Sequence, residues 1–336
     1  MGKTLVWIVM AALIALPLAA PILAQEVMVN QDELAKIANA EKAGTNDERL
    51  PGHADSWIAL AVVVTSILTA LGLNAAKPNV RAIGTALAAS GCFAVSVWFL
   101  WALGSGVFGS PRPANLPTDH IKPAVLGLQA SLAGVAGLVL LYSATRQASV
   151  GKERIIALHN AQKSYGKASR YLHWVIALLF LALVPMGIFT SMIPEGAWYR
   201  NGYYVVHKTL GLVVLGLVAG RILWNFASPR PKLDPSLTTW ERRSAHGAHL
   251  MLYFFMIAFP ITGLLMSSFA GKLSHFFAWD VPIFVGPNME AGLPFGLLHK
   301  VILPYLLYLV LGAHVIGALK HRYLDKHEDA LSRMVS

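Results

Sequence analysis

The chain has almost no cysteine and little charge. Cys92 is the single cysteine among 336 residues, and it lies inside an apolar run. One thiol excludes an intrachain disulfide. Without a cysteine pair there is no zinc ribbon, iron–sulfur cluster or CxxCH attachment site. Charged residues make up 13% of the chain, against roughly 25% in an ordinary soluble protein. The deficit comes from long apolar runs, and 56% of residues are hydrophobic. That combination describes a polytopic membrane protein, with lipid as its surroundings. The formal net charge is +10. No basic run with interleaved aromatics accompanies it, so no nucleic acid is expected as a partner, and the surplus reads as loop charge beside a membrane.

Residues 1–25 have Lys3, an apolar core from Leu5 and Ala24 before a polar stretch. They read as a signal peptide or an uncleaved first span. Residues 26–55 form an acidic segment carrying Glu26, Asp32, Glu33, Asp47 and Glu48. Further spans are expected at roughly 56–74, 82–104, 123–145, 172–192, 206–226, 246–268 and 299–320. Each holds about 20 residues, enough to cross a hydrocarbon core of about 30 Å as a helix. Lys and Arg concentrate near Lys77–Arg81, at 146–170, at 221–243 and in the tail 320–333, alternating with less basic loops. Placing the basic set inside puts residue 25 outside and the C-terminus in the cytoplasm. The expected fold is all-α, with three extra membrane helices in 56–150 before a four-helix bundle in 165–336. Gly84, Ala88 and Gly91, and Gly127 with Ser131, suit close helix packing in the first region.

Ionisable side chains inside a membrane are costly and usually functional. The spans of the first region carry none after Lys3, whereas the second region carries several histidines. His207 and His299 begin spans that start outside, and His173 begins one that starts inside. His314 lies fifteen residues beyond His299, or about 22 Å further along a helix, toward the inside. Two layers result: His207 with His299, and His173 with His314. Two imidazoles at one depth on different helices suit bis-histidine haem ligation, so two layers imply two b-type haems. At 100° per residue, fifteen residues place His314 about 60° ahead of His299, and fourteen would place it about 40° behind. Pro304 lies between them and removes a helical hydrogen bond to Lys300, so a local bulge that absorbs one residue is expected there.

The stretches ASRYLHWVIALL, VVHKTLGLVVLGLVAGRILW, AHGAHLMLYFFMIAFPITGLLMSSFAG and LLHKVILPYLLYLVLGAHVIGALKHRY resemble, in order and spacing, the bacterial four-helix cytochrome b561 family. That family includes superoxide oxidase and is related to the cytochrome b subunits of formate dehydrogenase and nickel–iron hydrogenase. The resemblance covers about half of the chain and leaves residues 1–150 unplaced. It implies a diheme cytochrome in the bacterial inner membrane, with His173 and His314 as the iron ligands of one haem b and His207 and His299 as those of the other. The family spaces the last two ligands by fourteen, and this chain departs by one residue. Electron transfer is the function implied, with ubiquinone as one redox partner and superoxide or a periplasmic redox protein as the other.

Other assignments compete. His249, on one face with His246, is an alternative ligand of the inner layer or a hydrogen-bonding group at the haem edge, and His321 is an alternative to His314. Arg170, Lys208 and Lys300 flank the ligands. Arg170 suits ordinary positive-inside topology, while Lys208 and Lys300 suit haem propionates or an anionic or quinone ligand. Gly211, one turn after His207, leaves room for a flat macrocycle. Tyr199, Tyr203, Tyr204, Trp198, Phe276, Phe277 and Trp279 form an aromatic belt or a quinone pocket. His53, His120, His159, His275 and His327 are expected in water. Two further functions stand beside electron transfer: a haem-bearing anchor that docks a periplasmic dehydrogenase, and a haem-free transporter. The transporter is the weaker, because such sites lie near the midplane.

Overall fold

The computed structural model describes residues 50, 53–105, 121–150, 153, 156–194, 197, 199–233, 235–323, 325 and 333–334. The expected signal peptide or first span, nearly all of the acidic segment, Trp198, His120 and His327 lie outside the described residues. The elements in chain order are α1 Ala54–Leu73, α2 Pro78–Gly104, α3 Lys122–Val150, α4 Lys167–Met192, α5 Arg200–Ala227 and α6 Thr239–Phe269. A hairpin of β1 Ser274–Phe276 and β2 Trp279–Val281 follows, then α7 Met289–Leu297, a π-helical turn Leu298–Ile302 and α8 Leu303–Tyr323. Among the described residues seven helices are long and apolar enough to cross a membrane, the last running from Met289 to His321. In hydrocarbon only a structure that satisfies its own backbone is stable, and helices do so. The chain is therefore a multi-pass, all-α membrane protein.

Local signals set the helix ends. Pro78 opens α2, where its missing N–H costs nothing. Thr238 and Glu241 form a reciprocal capping box at the start of α6. The Asn288 side chain accepts from Ala291 N–H and starts α7, so the last crossing begins ten residues before the expected position 299.

Lipid tails are as apolar as leucine, so small residues that let helices approach count for more than apolar ones. Gly72 of α1 and Gly84 of α2 touch backbone to backbone, and a Cβ on either would lie 2.5 Å from the other's main chain. Gly134 and Gly137 of α3 make room for Ser96 and Phe93 of α2. Gly91, expected in a helix contact, meets nothing within 4 Å.

The added helices are built into the bundle. Ala59 and Ala70 of α1 share one buried cluster with Val175, Ile176, Leu179 and Leu183 of α4 and Val206, Leu210, Val214 and Val218 of α5. A second cluster joins Phe99 and Ala102 of α2 and Leu126 and Ala130 of α3 to Phe189 of α4. Tyr199 and Tyr203 pack against it, so these two rings of the belt serve helix packing. Gln129 of α3 hydrogen-bonds through its Nε2 to the Tyr308 hydroxyl of α8. Phe255 and Phe259 of α6 pack on Leu303 and Leu307 of α8 and close the four-helix bundle.

Candidate functional site

The bundle has a hairpin end, where β1 and β2 lie, and a tail end, where residues 333 and 334 lie. At the hairpin end, His207 of α5 faces His299 of the π turn with ring centroids 6.1 Å apart and planes at 90°. Metal–nitrogen bonds of about 2 Å on opposite sides of one iron put two imidazole centroids about 6 Å apart. Each ring leans on a glycine of a neighbouring helix. A Cβ at Gly187 would lie 3.2 Å from His207 Cε1, and one at Gly263 would lie 2.8 Å from His299 Cε1. The His299 Nδ1 donates to the Phe259 carbonyl at 3.0 Å and lies 3.2 Å from Thr262 Oγ1. That bond leaves Nε2 with the lone pair, as a metal-binding histidine requires. Among the described residues the buried His207 Nδ1 has no well-formed hydrogen bond, and the Leu183 main chain lies beside the ring. Gly211, one turn beyond His207 on the same face, has nothing within 4 Å of where a Cβ would sit. Paired imidazoles, a fixed tautomer and open space beside them fit a haem.

The π turn bears on the odd spacing. Leu303 N–H bonds to Leu298 O across it, five residues back instead of four. A π turn holds one residue more than the α-helical path it replaces. Fifteen residues then turn as about fourteen do in a regular helix, and the departure between His299 and His314 is absorbed where a bulge was expected.

The tail end is arranged less simply. His314 of α8 meets His249 of α6, with ring centroids 5.2 Å apart and planes at 66°. The His173 ring contacts Trp174, and its Nδ1 accepts from Arg221 Nη1 at 3.2 Å. Arg221, His314 and His249 all lie near His173, yet no ring contact joins His173 to His314 among the described residues. Three imidazoles and one guanidinium gather at this end. Arg170 is 2% exposed, and Arg221 lies over the Tyr253 ring. Among the described residues the half-buried Arg221 makes no ion pair with a carboxylate, and its guanidinium suits a haem propionate. The tail closes over this end: Trp174 Nε1 donates to Met334 O, and Arg333 Nη1 to Lys232 O.

Other expected residues fall elsewhere. Lys208 Nζ donates to Leu273 O of the hairpin segment at 2.7 Å, and Lys300 is exposed. His321 is bonded to Asp325, apart from the imidazole cluster. Glu241, His321 and Asp325 come within ligand distance of one another. Lys320 Nζ bridges Glu241 at 2.8 Å and Asp325 at 2.7 Å, so an ammonium already supplies the charge a metal would bring. His275 corrects the sequence reading. It is expected in water but lies in β1 and is 3% exposed. Its main chain and Phe277 pack against the bundle.

Residues 164–336 match the family model described as prokaryotic cytochrome b561. Cytochrome b561 homolog 2 of Escherichia coli K12 is 32% identical over 187 residues, covering 52% of this chain and 93% of that protein. Cytochrome b561 homolog 1 of the same organism is 29% identical, covering 51% and 96%. A probable superoxide oxidase of Yersinia pestis is 26% identical, covering 52% and 96%. In each case about half of this chain accounts for nearly all of the relative.

Proposed function

Because the chain belongs to the prokaryotic cytochrome b561 family, a family of b-type cytochromes that carry electrons within membranes, we propose that it is a diheme electron carrier linking quinone to a redox partner at the hairpin end, with superoxide as the electron donor. His207 and His299 hold one haem b, and His173 and His314 hold the other. The observation that carries this reading is the His207–His299 pair at 6.1 Å, backed by Gly187 and Gly263. The haems supply one-electron transfer, and the protein supplies ligation, orientation and a low-dielectric setting. His299 presents Nε2 because Phe259 O holds its Nδ1 proton. Arg170 and Arg221 neutralise propionates at the tail end. The hairpin end is the outer face, and Lys272, Arg200 and Lys300 draw the superoxide anion toward it. The likeness to a probable superoxide oxidase supports that choice of donor.

The first test is a reduced-minus-oxidised spectrum with haem counted as the pyridine haemochrome. About two b-type haems per chain are expected, followed by superoxide-driven reduction of a soluble ubiquinone analogue. Absence of a Soret band would sink the proposal. A second reading, a haem-bearing anchor for a periplasmic dehydrogenase, rests on Leu50. That residue leads in from the acidic stretch and packs on Gly202 of α5, where a Cβ would lie 2.5 Å from its Cγ. Activity of the purified chain alone would count against it.

A further inference from the structure

The hairpin holds a histidine that none of the haem chemistry uses. β1 and β2 pair antiparallel, with His275 directly opposite Asp280 and Phe276 opposite Trp279. Directly opposed residues share one face of a ribbon and interact. Here the His275 Nδ1 lies 2.8 Å from Asp280 Oδ1. The two-residue turn puts Phe277 at φ 56°, a strained conformation for an aromatic residue. Packing of Phe277 into the α1–α4–α5 cluster holds it there. Two bonds from α5 fix the ribbon to the helix of His207: Lys208 Nζ donates to Leu273 O, and the fully buried Thr209 donates through Oγ1 to His275 O at 2.9 Å.

The two members of the pair differ in exposure. The Asp280 side chain is 61% exposed and the His275 side chain 3%. Among the described residues the buried His275 Nε2 has no hydrogen-bond partner. A buried polar atom left unpaired costs free energy and calls for an explanation. A carboxylate on Nδ1 fixes the tautomer and stabilises an imidazolium, which leaves Nε2 as the atom that exchanges a proton. Asp280 from β2 and Lys208 from α5 are the charged groups around the pair, with Lys272 just before the strand. The last turn of α6 contributes Ser267, Ser268 and Phe269 and nothing titratable. On either side of the pair Leu273, Trp279, Ile283 and Phe284 are exposed, at 37%, 69%, 40% and 61%. They give the hairpin an apolar surface that a lipid-soluble molecule can contact.

We propose that His275 and Asp280 are the proton-donating dyad for reduction of a quinone headgroup at the hairpin end, a role that rests on the electron-transfer reading above. Two superoxide anions each lose one electron and become dioxygen. The quinone gains those two electrons and two protons, and both carbonyl oxygens become hydroxyls. One proton leaves His275 Nε2 for the quinone oxygen beside it while Asp280 keeps the Nδ1 proton, and water supplies the second proton to the para oxygen. Nε2 regains its proton from water once the quinol leaves.

The test uses the haem-loaded full chain with His275→Gln and, separately, Asp280→Asn. Haem content and the Soret band stay as in the unaltered chain, because neither residue is an iron ligand. Superoxide-driven reduction of a ubiquinone analogue falls roughly a hundredfold in His275→Gln. Asp280→Asn, at an exposed position that does not threaten the fold, falls by roughly tenfold. Binding of a fluorescent hydroxyquinoline N-oxide, read by quenching, weakens roughly tenfold in His275→Gln. A His275→Gln chain with unaltered inhibitor binding and quinone reduction would overturn the dyad and leave a cross-strand tie. Failure of the electron-transfer reading looks different: the unaltered chain then lacks haem or does not respond to superoxide. The binding measurement still decides the dyad in that case.

Discussion

At the hairpin end two imidazoles face one another with a glycine behind each. At the tail end three imidazoles and a guanidinium share one space. Both ends have histidines at a common depth, yet only the first shows the ring separation that two ligands of one iron require. The difference lies in what stands behind the rings. Gly187 and Gly263 leave each hairpin-end ring one place to go, and Phe259 O fixes the tautomer of His299. At the tail end Arg221 bonds the His173 nitrogen from one side, and His249 competes for His314. On the proposed reading a haem propionate would take Arg221 and free His173, so the tail-end layer would depend on its cofactor more than the hairpin-end layer would.

The largest effect should come from removing the support at the hairpin end. Gly263→Leu puts a branched side chain where even a Cβ comes within 2.8 Å of His299, and forced overpacking of this kind costs about 1–3 kcal/mol. The expected outcome is loss of one haem of the pair, counted as pyridine haemochrome, with the tail-end haem kept. A haem count unchanged from the unaltered chain would break the comparison.

Register comes next. Deleting Ile302 shortens the His299–His314 spacing to fourteen and should turn the π turn into regular helix with both haems kept. Inserting one alanine after Ile302 rotates His314 by about 100° and should empty the tail-end site alone. Redox titration of the two optical components reads which site is lost.

Much of this was legible in the chain before folding. Span ends placed His173, His207, His299 and His314 at two depths, because a helix rises a fixed distance per residue and basic loops set its direction. Pro304 marked where the last helix departs from regularity. Pairing within the tail layer was not legible, since a ring's direction depends on neighbours that a one-dimensional period cannot supply, Arg221 and His249 among them. His275 was missed for another reason. Ser274–Phe276 and Trp279–Val281 alternate across a two-residue turn, but the turn holds Phe277 and Ala278 in place of the usual Asn-Gly or Gly. The only signal was an aspartate five residues after a histidine. The ten-residue error at the start of the last crossing had a visible remedy, Asn288 before an apolar run.

A smaller effect is expected at His249. His249→Gln should leave the haem count unchanged, because His173 and His314 are the proposed ligands. Loss of a polar neighbour beside His314 shifts the potential of the tail-end haem on the order of tens of millivolts. Loss of a whole haem in this variant would make His249 the ligand and displace His173, redrawing the tail-end layer.

The smallest effect belongs to the charge network that ties the start of α6 to the end of α8 beside that layer. The Lys320 ammonium, hydrogen-bonded to Asp325 at 2.7 Å, holds the Asp325 carboxyl below the usual carboxylate range, with a lesser contribution from His321. A carboxyl whose pKa is lower in the folded chain stabilises it above the unfolded pKa, and that stabilisation is lost as pH falls through the lowered folded value. The group is close to solvent and screened, so the contribution is small. Asp325→Asn should lower the melting temperature at pH 7 by no more than about 2 °C, and the difference should vanish below the ordinary carboxylate range. A larger loss at pH 7, accompanied by loss of the tail-end haem, would mean that this surface network positions His314 and that the looseness of its layer is only apparent.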